Sequence, residues 1–350
     1  MLTEELIRQI LNRLPDCSIG VVGDFFLDKY LDIDGRLTEK SVETDLDAYQ
    51  VVRVRTSPGA GGTVTNNLAA LGVGRIYALT LIGEDGEGFE LRRELSLRGI
   101  DMKYVIDAKD RFTPTYTKPL LRDGAGQLRE LNRLDIKNRR PVTDRLVKEL
   151  GKSLIDMVHQ CDAVIVADQV SEPNCGVVTD ELREQLARLG ERYPNKAFLA
   201  DSRERIGQFR NVITKPNRSE CLRTAVLART DQMALAAVES AARGLARITD
   251  RPVYCTLGEN GILYVDSNQA RYVAAYAVNG PVDVVGAGDS TTAGIVCALC
   301  AEAEPVDAAA FGNLIASITV QQLGTTGTAK PEQVIERWRK VLDARPTNGD

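Results

Sequence analysis

The sequence contains one histidine in 350 residues, His159. A serine–histidine–aspartate enzyme or a histidine-rich metal site would have to depend on it alone. It lies in an amphipathic stretch that reads as helix near the surface. Positive charge is not in excess. Lysine and arginine number 44 against 49 acids, for a net charge of −5, which favours no polyanion and argues against nucleic acid. No apolar run is long enough to cross a bilayer. The N-terminus, "MLTEELIRQILNRL", lacks the basic-then-apolar plan of a secretory signal. These absences point away from a membrane and towards the cytoplasm. The seven cysteines are odd in number and scattered, which fits reduced thiols and no disulfide framework. Cys297 and Cys300 form a C-x-x-C within "AGIVCALCA", where their small and apolar neighbours suit core thiols. There is no internal repeat and no low-complexity segment.

Two glycine motifs lack what their look-alikes need. "GKS" at 151–153 has Leu146 where a Walker loop needs its first glycine. Leu146, Leu150 and Leu154 repeat there at helical spacing. "GAGGTV" and "GAGDST" miss the last glycine of a dinucleotide fingerprint, at Val64 and Thr291.

What is present is an alternation of apolar strands and amphipathic helices. "SIGVVGD", "RIYALTLIG", "DAVIVAD", "KAFLADS", "NVITKPN" and "PVYCTLG" read as strands. "TVTNNLAALG", "GFELRRELSLRG", "DELREQLARLGERY" and "DQMALAAVESAARGLARI" read as helices, and three more are expected at 289–302, 306–322 and 331–343. The pattern predicts an α/β chain with a mostly parallel sheet covered on both faces. Residues 30–59 and 113–135 break the rhythm with polar–apolar alternation, and the second should turn at Asp123–Gly126. They predict a small antiparallel sheet that projects as a lid over the carboxyl ends of the strands, where ligands of open sheets bind. Residues 1–343 then form one domain, and 344–350 a frayed tail.

The stretch "PVDVVGAGDSTTAG" carries the chemistry. Gly286, Ala287 and Gly288 let the backbone approach a ligand closely. The helix that follows begins with amides that have no intrahelical acceptor, in a dipole field that favours an anion. Asp289 sits beside them, where an attacking hydroxyl could lose its proton. The nearby N–H groups should favour its carboxylate form. A helix-capping aspartate is the competing reading.

"DVVGAGDSTTAG" resembles the "DTTGAGD" signature of the ribokinase-like, or phosphofructokinase-B, carbohydrate kinases. The resemblance continues in order through "GVVGDFFLDKY", "SPGAGGTVTNNLAALG", "LIGEDGEG", "KPNRSE" and "TLGENG". It implies a three-layer α/β/α fold with a β lid. It also implies an ATP- and Mg²⁺-dependent kinase that phosphorylates a hydroxyl of a sugar or sugar phosphate. Asp289 would be the general base, and the amides of Gly286, Ala287 and Gly288 the anion hole. Asp28, Asp24, Gly59, Gly61, Gly62, Thr63, Asn67 and Arg133 would meet the acceptor. Lys215, Asn217, Glu220, Thr256, Gly258, Gly261 and Asn313 would line the nucleotide site, with Glu220 acting on Mg²⁺ through water. Asp283 falls where the family often places a monovalent cation such as K⁺. Lids of the family often pair in homodimers.

Within the family, "VVGDFFLDKY" and "TPTYTKPLLRDGAGQLRELNRLD" are most similar to the kinases of heptose 7-phosphate. Those are sometimes fused to a nucleotidyltransferase, whose H-x-G-H motif one histidine cannot supply. A kinase domain alone is therefore expected. Lys118, Arg122, Arg129 and Arg133 of the hairpin could meet a substrate phosphate. The sequence departs from the family at Ala60, which replaces a glycine, and at Thr63, which replaces the sugar-binding asparagine. "DQVSEPNCG" keeps Asp168 but loses a tyrosine and a lysine, and Lys215 replaces the heptose kinases' threonine. Two other functions are compatible with the pattern: a ribokinase or nucleoside kinase of the same fold, and a non-catalytic sugar-binding regulator.

Overall fold

The computed structural model describes residues 2–225, 235–324 and 326–343. The first residues of the helix expected from Asp231, and the tail from 344, lie outside them. In chain order the elements are α1 (Glu4–Arg13), β1 (Ser18–Gly23), β2 (Phe25–Asp34), β3 (Glu39–Lys40), β4 (Asp47–Ala48) and β5 (Val51–Ala60). Then come α2 (Gly61–Leu71), β6 (Arg75–Gly83), α3 (Gly86–Leu97), β7 (Asp101–Ala108), β8 (Thr115–Arg122), β9 (Leu128–Glu130) and β10 (Leu134–Ile136). The second half holds α4 (Asp144–Gln160), β11 (Ala163–Asp168), α5 (Asp180–Arg192), β12 (Ala197–Ser202), β13 (Ile213–Thr214) and α6 (Arg218–Arg223). It closes with α7 (Leu235–Thr249), β14 (Val253–Thr256), β15 (Gly261–Val265), β16 (Ala270–Ala274), α8 (Ala287–Cys300), α9 (Pro305–Thr319) and α10 (Pro331–Asp343).

The main sheet has the order β16-β15-β14-β13-β12-β11-β1-β6-β7. All pairs from β14 to β7 are parallel, while β15 and β16 form an antiparallel edge. The central strands read as unbroken apolar runs because both faces are covered. On one face, residues of α2, α8 and α9 such as Leu68, Ile295 and Phe311 pack against Ile19, Ile165 and Leu199. On the other, Leu150, Leu154 and Met157 of α4 and Leu186 of α5 pack against Val22, Val164 and Val166. The "GKS" segment is thus helix interior. A third cluster joins Leu245 of α7 to Val253 and Leu263.

The lid is a five-stranded sheet ordered β10-β8-β2-β5, with β9 on β8. Its hairpins are antiparallel, as the alternation predicts, but β2 and β8 run parallel. The two come from separate segments that leave the body in the same direction. The hairpin turns at Asp123–Gly126, where the Gly126 amide donates to the Asp123 carbonyl at 3.0 Å. His159 is exposed near the end of α4, with its ring nitrogen 2.9 Å from the Tyr193 hydroxyl. No described cysteine is in a disulfide; Cys297 is buried and Cys300 partly so. Among the described residues, no helix is long and apolar enough to cross a membrane.

Candidate active site

Parallel strands deliver side chains to their carboxyl ends. Asp24 follows β1, Asp168 ends β11, Asp201 lies near the end of β12, and Lys215 follows β13. The N-terminus of α8 comes down onto this edge. Gly286 caps the helix with φ +79°, a conformation that favours glycine. Asp289 is therefore in the first turn and is not the capping residue. The Ala287 amide is taken by the Val284 carbonyl at 3.1 Å. Of the three amides expected to form an anion hole, those of Gly286 and Gly288 have no backbone acceptor among the described residues.

Lys215 lies beneath these amides. It is 3% exposed and pairs with Asp201 at 2.9 Å. Its Nζ lies 3.6 Å from where a Cβ on Gly288 would stand. Burial opposes its charge, but the Asp201, Glu220 and Asp289 carboxylates hold its pKa above the usual lysine value. Asp289 is pushed up to about 7. Burial is the main cause and the Asp201 charge adds to it, against the pull of Lys215 and Arg203. Sequence reasoning expects the opposite direction from the helix amides. Desolvation wins because a single ammonium is shared between two carboxylates.

Asp28 reaches the same space from β2 and contributes to the field at Asp289. It pairs with Lys118 at 3.1 Å. Gly59 is required opposite it, because a Cβ there would come within 2.9 Å of the Asp28 carboxylate. Strand alternation puts Asp28, Tyr30, Asp32, Tyr116 and Lys118 on one face of the lid. Arg133 stacks 4.1 Å from the Tyr116 ring centroid and is bound to Asp135. Gly61 and Gly62 act through packing: a Cβ on either would strike Phe25 or Pro58. Ala60 adopts φ +54°, ψ −119°, a strained conformation for a residue with a Cβ.

Several expected ligand-binding side chains are engaged elsewhere. Asp24 is 3% exposed, and its carboxylate accepts the amides of Gln169, Val170 and Val177 at 2.8–2.9 Å. It anchors the loop after β11, and what little of it is exposed borders a recess between β1 and β11. Burial and the Asp168 charge raise its pKa to about 6. Asp168 is likewise internal, bound to Ser202 at 2.6 Å and Arg205 at 2.8 Å. Asn67 is fully buried and donates to the Thr63 carbonyl at 2.9 Å. Thr63 is buried too, with its hydroxyl 3.5 Å from the Pro58 carbonyl. Asn313 donates to the carbonyls of Val273 and Ala274 at 3.1 and 3.2 Å, tying α9 to β16.

The N-x-x-E motif is a capping box. Glu220 accepts the Asn217 amide at 2.7 Å, and Asn217 accepts the Glu220 amide at 2.9 Å. The Glu220 Oε1 is left for another partner. Thr256 bridges to Asn217 and donates its amide to Pro216 at 2.9 Å, so "KPN" and "TLGENG" meet. Gly258 opens onto free space, while Gly261 passes so close to Val273 that a Cβ would clash. Asp283 accepts the amides of Val285 and Gly324 at 3.0 and 3.1 Å, clasping two loops. The hairpin arginines diverge. Arg122 turns to the Gly126 carbonyl at 3.0 Å, and Arg129, opposite Leu121, takes the face away from Lys118.

Sequence reasoning missed Asp201 and Arg203. The signal was available: an acid ending an apolar strand, "KAFLADS", at the edge where ligands bind.

A model of the pfkB family of carbohydrate kinases matches residues 30–332. Bifunctional protein HldE of Desulfatibacillum aliphaticivorans is 26% identical over 95% of this chain, and that of Syntrophotalea carbinolica 28% over 94%. The chain spans only 65% and 64% of those relatives' own lengths. Among solved structures, phosphofructokinase-2 from Escherichia coli in complex with potassium has a TM-score of 0.69 at 17% identity. The match covers 93% of this chain and 99% of that one. Arabidopsis thaliana ribokinase complexed with ribose and ATP scores 0.67 at 17% identity, covering 92% and 98%. These likenesses share the ribokinase-like fold of a large, mostly parallel sheet with a small lid. The chain belongs to the pfkB family of carbohydrate kinases, phosphotransferases whose acceptor is a sugar hydroxyl.

Proposed function

We propose that the protein transfers the γ-phosphoryl group of ATP to a hydroxyl of a sugar phosphate of the heptose 7-phosphate kind, with Asp289 as general base. One observation carries this reading: Asp289 lies in the first turn of α8, beside two open amides and Lys215, and within the field of Asp28. The relatives named as bifunctional HldE proteins support the choice of sugar.

When bound, ATP supplies the phosphoryl group, and Mg²⁺ neutralises charge on its oxygens. The residues present fit both. Lys215 and the amides of Gly286 and Gly288 suit a phosphoryl group in flight. The free oxygen of Glu220 suits a metal-bound water. Each Asp283 oxygen keeps a lone pair beyond its amide bond, so K⁺ could join the loop it clasps.

Asp289 accepts the acceptor's hydroxyl proton at its carboxylate. Phosphoryl transfer mainly requires positioning and late proton removal, so a base of modest strength suffices. Lys215 and the two amides hold the migrating oxygens. Asp28 orients a hydroxyl, and the lid excludes water. Val52 and Val54 of the lid and Val42 and Leu46 between β3 and β4 are also exposed, which suits pairing with a second copy. Sedimentation at monomer mass across the working concentration range would remove the dimer.

The test is release of ADP from ATP and Mg²⁺ with a panel of sugars and sugar phosphates. Turnover is expected with a heptose phosphate. It should fall about 10²- to 10⁴-fold in Asp289→Asn, with ATP binding retained. Unchanged turnover in that variant would remove Asp289 from its role.

A further inference from the structure

The hairpin's basic residues do not supply a free cation for an anionic acceptor. Lys118 is bound to Asp28 and Arg133 to Asp135, at 3.1 and 2.6 Å. Arg122 is turned to a carbonyl and Arg129 faces away. Another part of the molecule is better suited.

A recess opens at the crevice between β1 and β11. Strand order reverses there: β6 and β7 follow β1 on one side, while β11 lies on the other. Ligands of open parallel sheets bind at such points. Phe26 and Tyr116 form one wall of the recess, with their rings edge to face at 5.0 Å. Tyr116 also joins the recess to the catalytic cleft, since it is the register partner of Asp28. Asp28 and Arg203 lie within the field of both Tyr116 and Asp289.

Two cations border this space, and so do the carboxyl groups of Asp24 and Glu172. Lys137 lies 5.9 Å from the Tyr116 ring centroid and, among the described residues, has no ion pair or hydrogen bond. Among the described residues, the Arg111 guanidinium donates to the carbonyls of Arg140 and Cys175 and meets no carboxylate. Two residues in the lining carry buried oxygens with no hydrogen-bond partner, Thr80 Oγ1 and Glu172 Oε2. Such orphans are costly unless something satisfies them.

We propose that this recess, and not the hairpin, reads the far end of the acceptor: a hydroxylated carbon chain ending in a phosphate. The phosphate meets Lys137 and Arg111, two cations for a group carrying nearly two negative charges. Hydroxyls of the chain satisfy Thr80 and Glu172, and its carbon–hydrogen face rests on Phe26 and Tyr116. This rests on the kinase reading above and assigns Lys137 as a specificity determinant of that site.

The experiment compares the full chain with Lys137→Met on matched pairs of acceptors, a free sugar and its terminal phosphate. The wild type should prefer the phosphorylated member, and the preference in kcat/KM should fall at least about tenfold in the variant, the scale of one charged hydrogen bond. Lys137→Arg should restore most of it. An unchanged preference would overturn the proposal, as would equal loss for both members. A sugar acid accepted with the same dependence on Lys137 would overturn the assignment to phosphate. Calorimetry with inorganic phosphate reads the subsite without turnover, and Lys137→Met should weaken that binding at least about tenfold. Lys137-dependent phosphate binding without turnover of any acceptor would sink the kinase reading and leave the subsite standing. Turnover without such binding would sink the subsite alone.

Discussion

Asp289 and Asp28 lie within one electrostatic field, one on the body and one on the lid, and the two sides are held differently. On the floor, Lys215 and Asp201 form a pair whose side chains are only 3% and 17% exposed, wedged between strand ends and the start of α8. On the roof, the inner pair of Lys118 with Asp28 is 15% and 10% exposed, but pairs further out lie nearer to water: Arg55 with Asp32 at 34% and 27%, and Lys40 with Asp47 of the β3–β4 hairpin at 66% and 49%. Buried pairs act in low dielectric and keep their geometry, whereas exposed ones contribute little to stability. On the kinase reading proposed above, the floor is the side preorganised for the chemical step and the outer roof the side suited to movement.

This contrast can be sharpened by comparing two acids on one segment. Asp28→Asn should raise the acceptor KM about tenfold or more, with ATP binding nearly unchanged and some stability lost, because Lys118 loses the partner of a largely buried pair. Asp24→Asn should act on stability alone. Its amide cannot accept all three backbone N–H groups, so thermal unfolding should reveal about 1–3 kcal/mol of lost stability, with little change in KM. If Asp24→Asn altered KM and spared stability, the division between anchor and ligand would be wrong. The smallest effect is expected at the lid hinge. Ala60→Gly relieves a strained backbone at φ +54° but adds freedom to the unfolded chain, for a net gain of about 0.5–1 kcal/mol. A lower melting temperature would show that Ala60 is not strained.

Sequence patterns revealed the architecture well because burial on both faces writes continuous apolar runs into strands such as "AVIVAD". The lid was legible from its alternation. The parallel pairing of β2 with β8 was not, since register between distant segments leaves no local trace. Motifs pointed to the helix that carries Asp289, yet they did not distinguish open side chains from those that support the fold. Asp24, Asn67 and Asn313 lie in or beside the motifs but bond to backbone. Only their partners, far away in sequence, reveal this. Asp201 went unnoticed for the converse reason: its importance comes from Lys215, fourteen residues later, across a strand pair.

The most direct test is the pH dependence of kcat/KM for the acceptor, in the wild type and in Asp201→Asn. A base must be unprotonated to work, so activity should fall by one proton as pH drops through about 7, the value to which Asp289 is pushed. Asp201 helps to push it there, so its removal should move that limb to lower pH. A rate independent of pH from about 5 to 8, or a limb that stays in place in Asp201→Asn, would contradict the account.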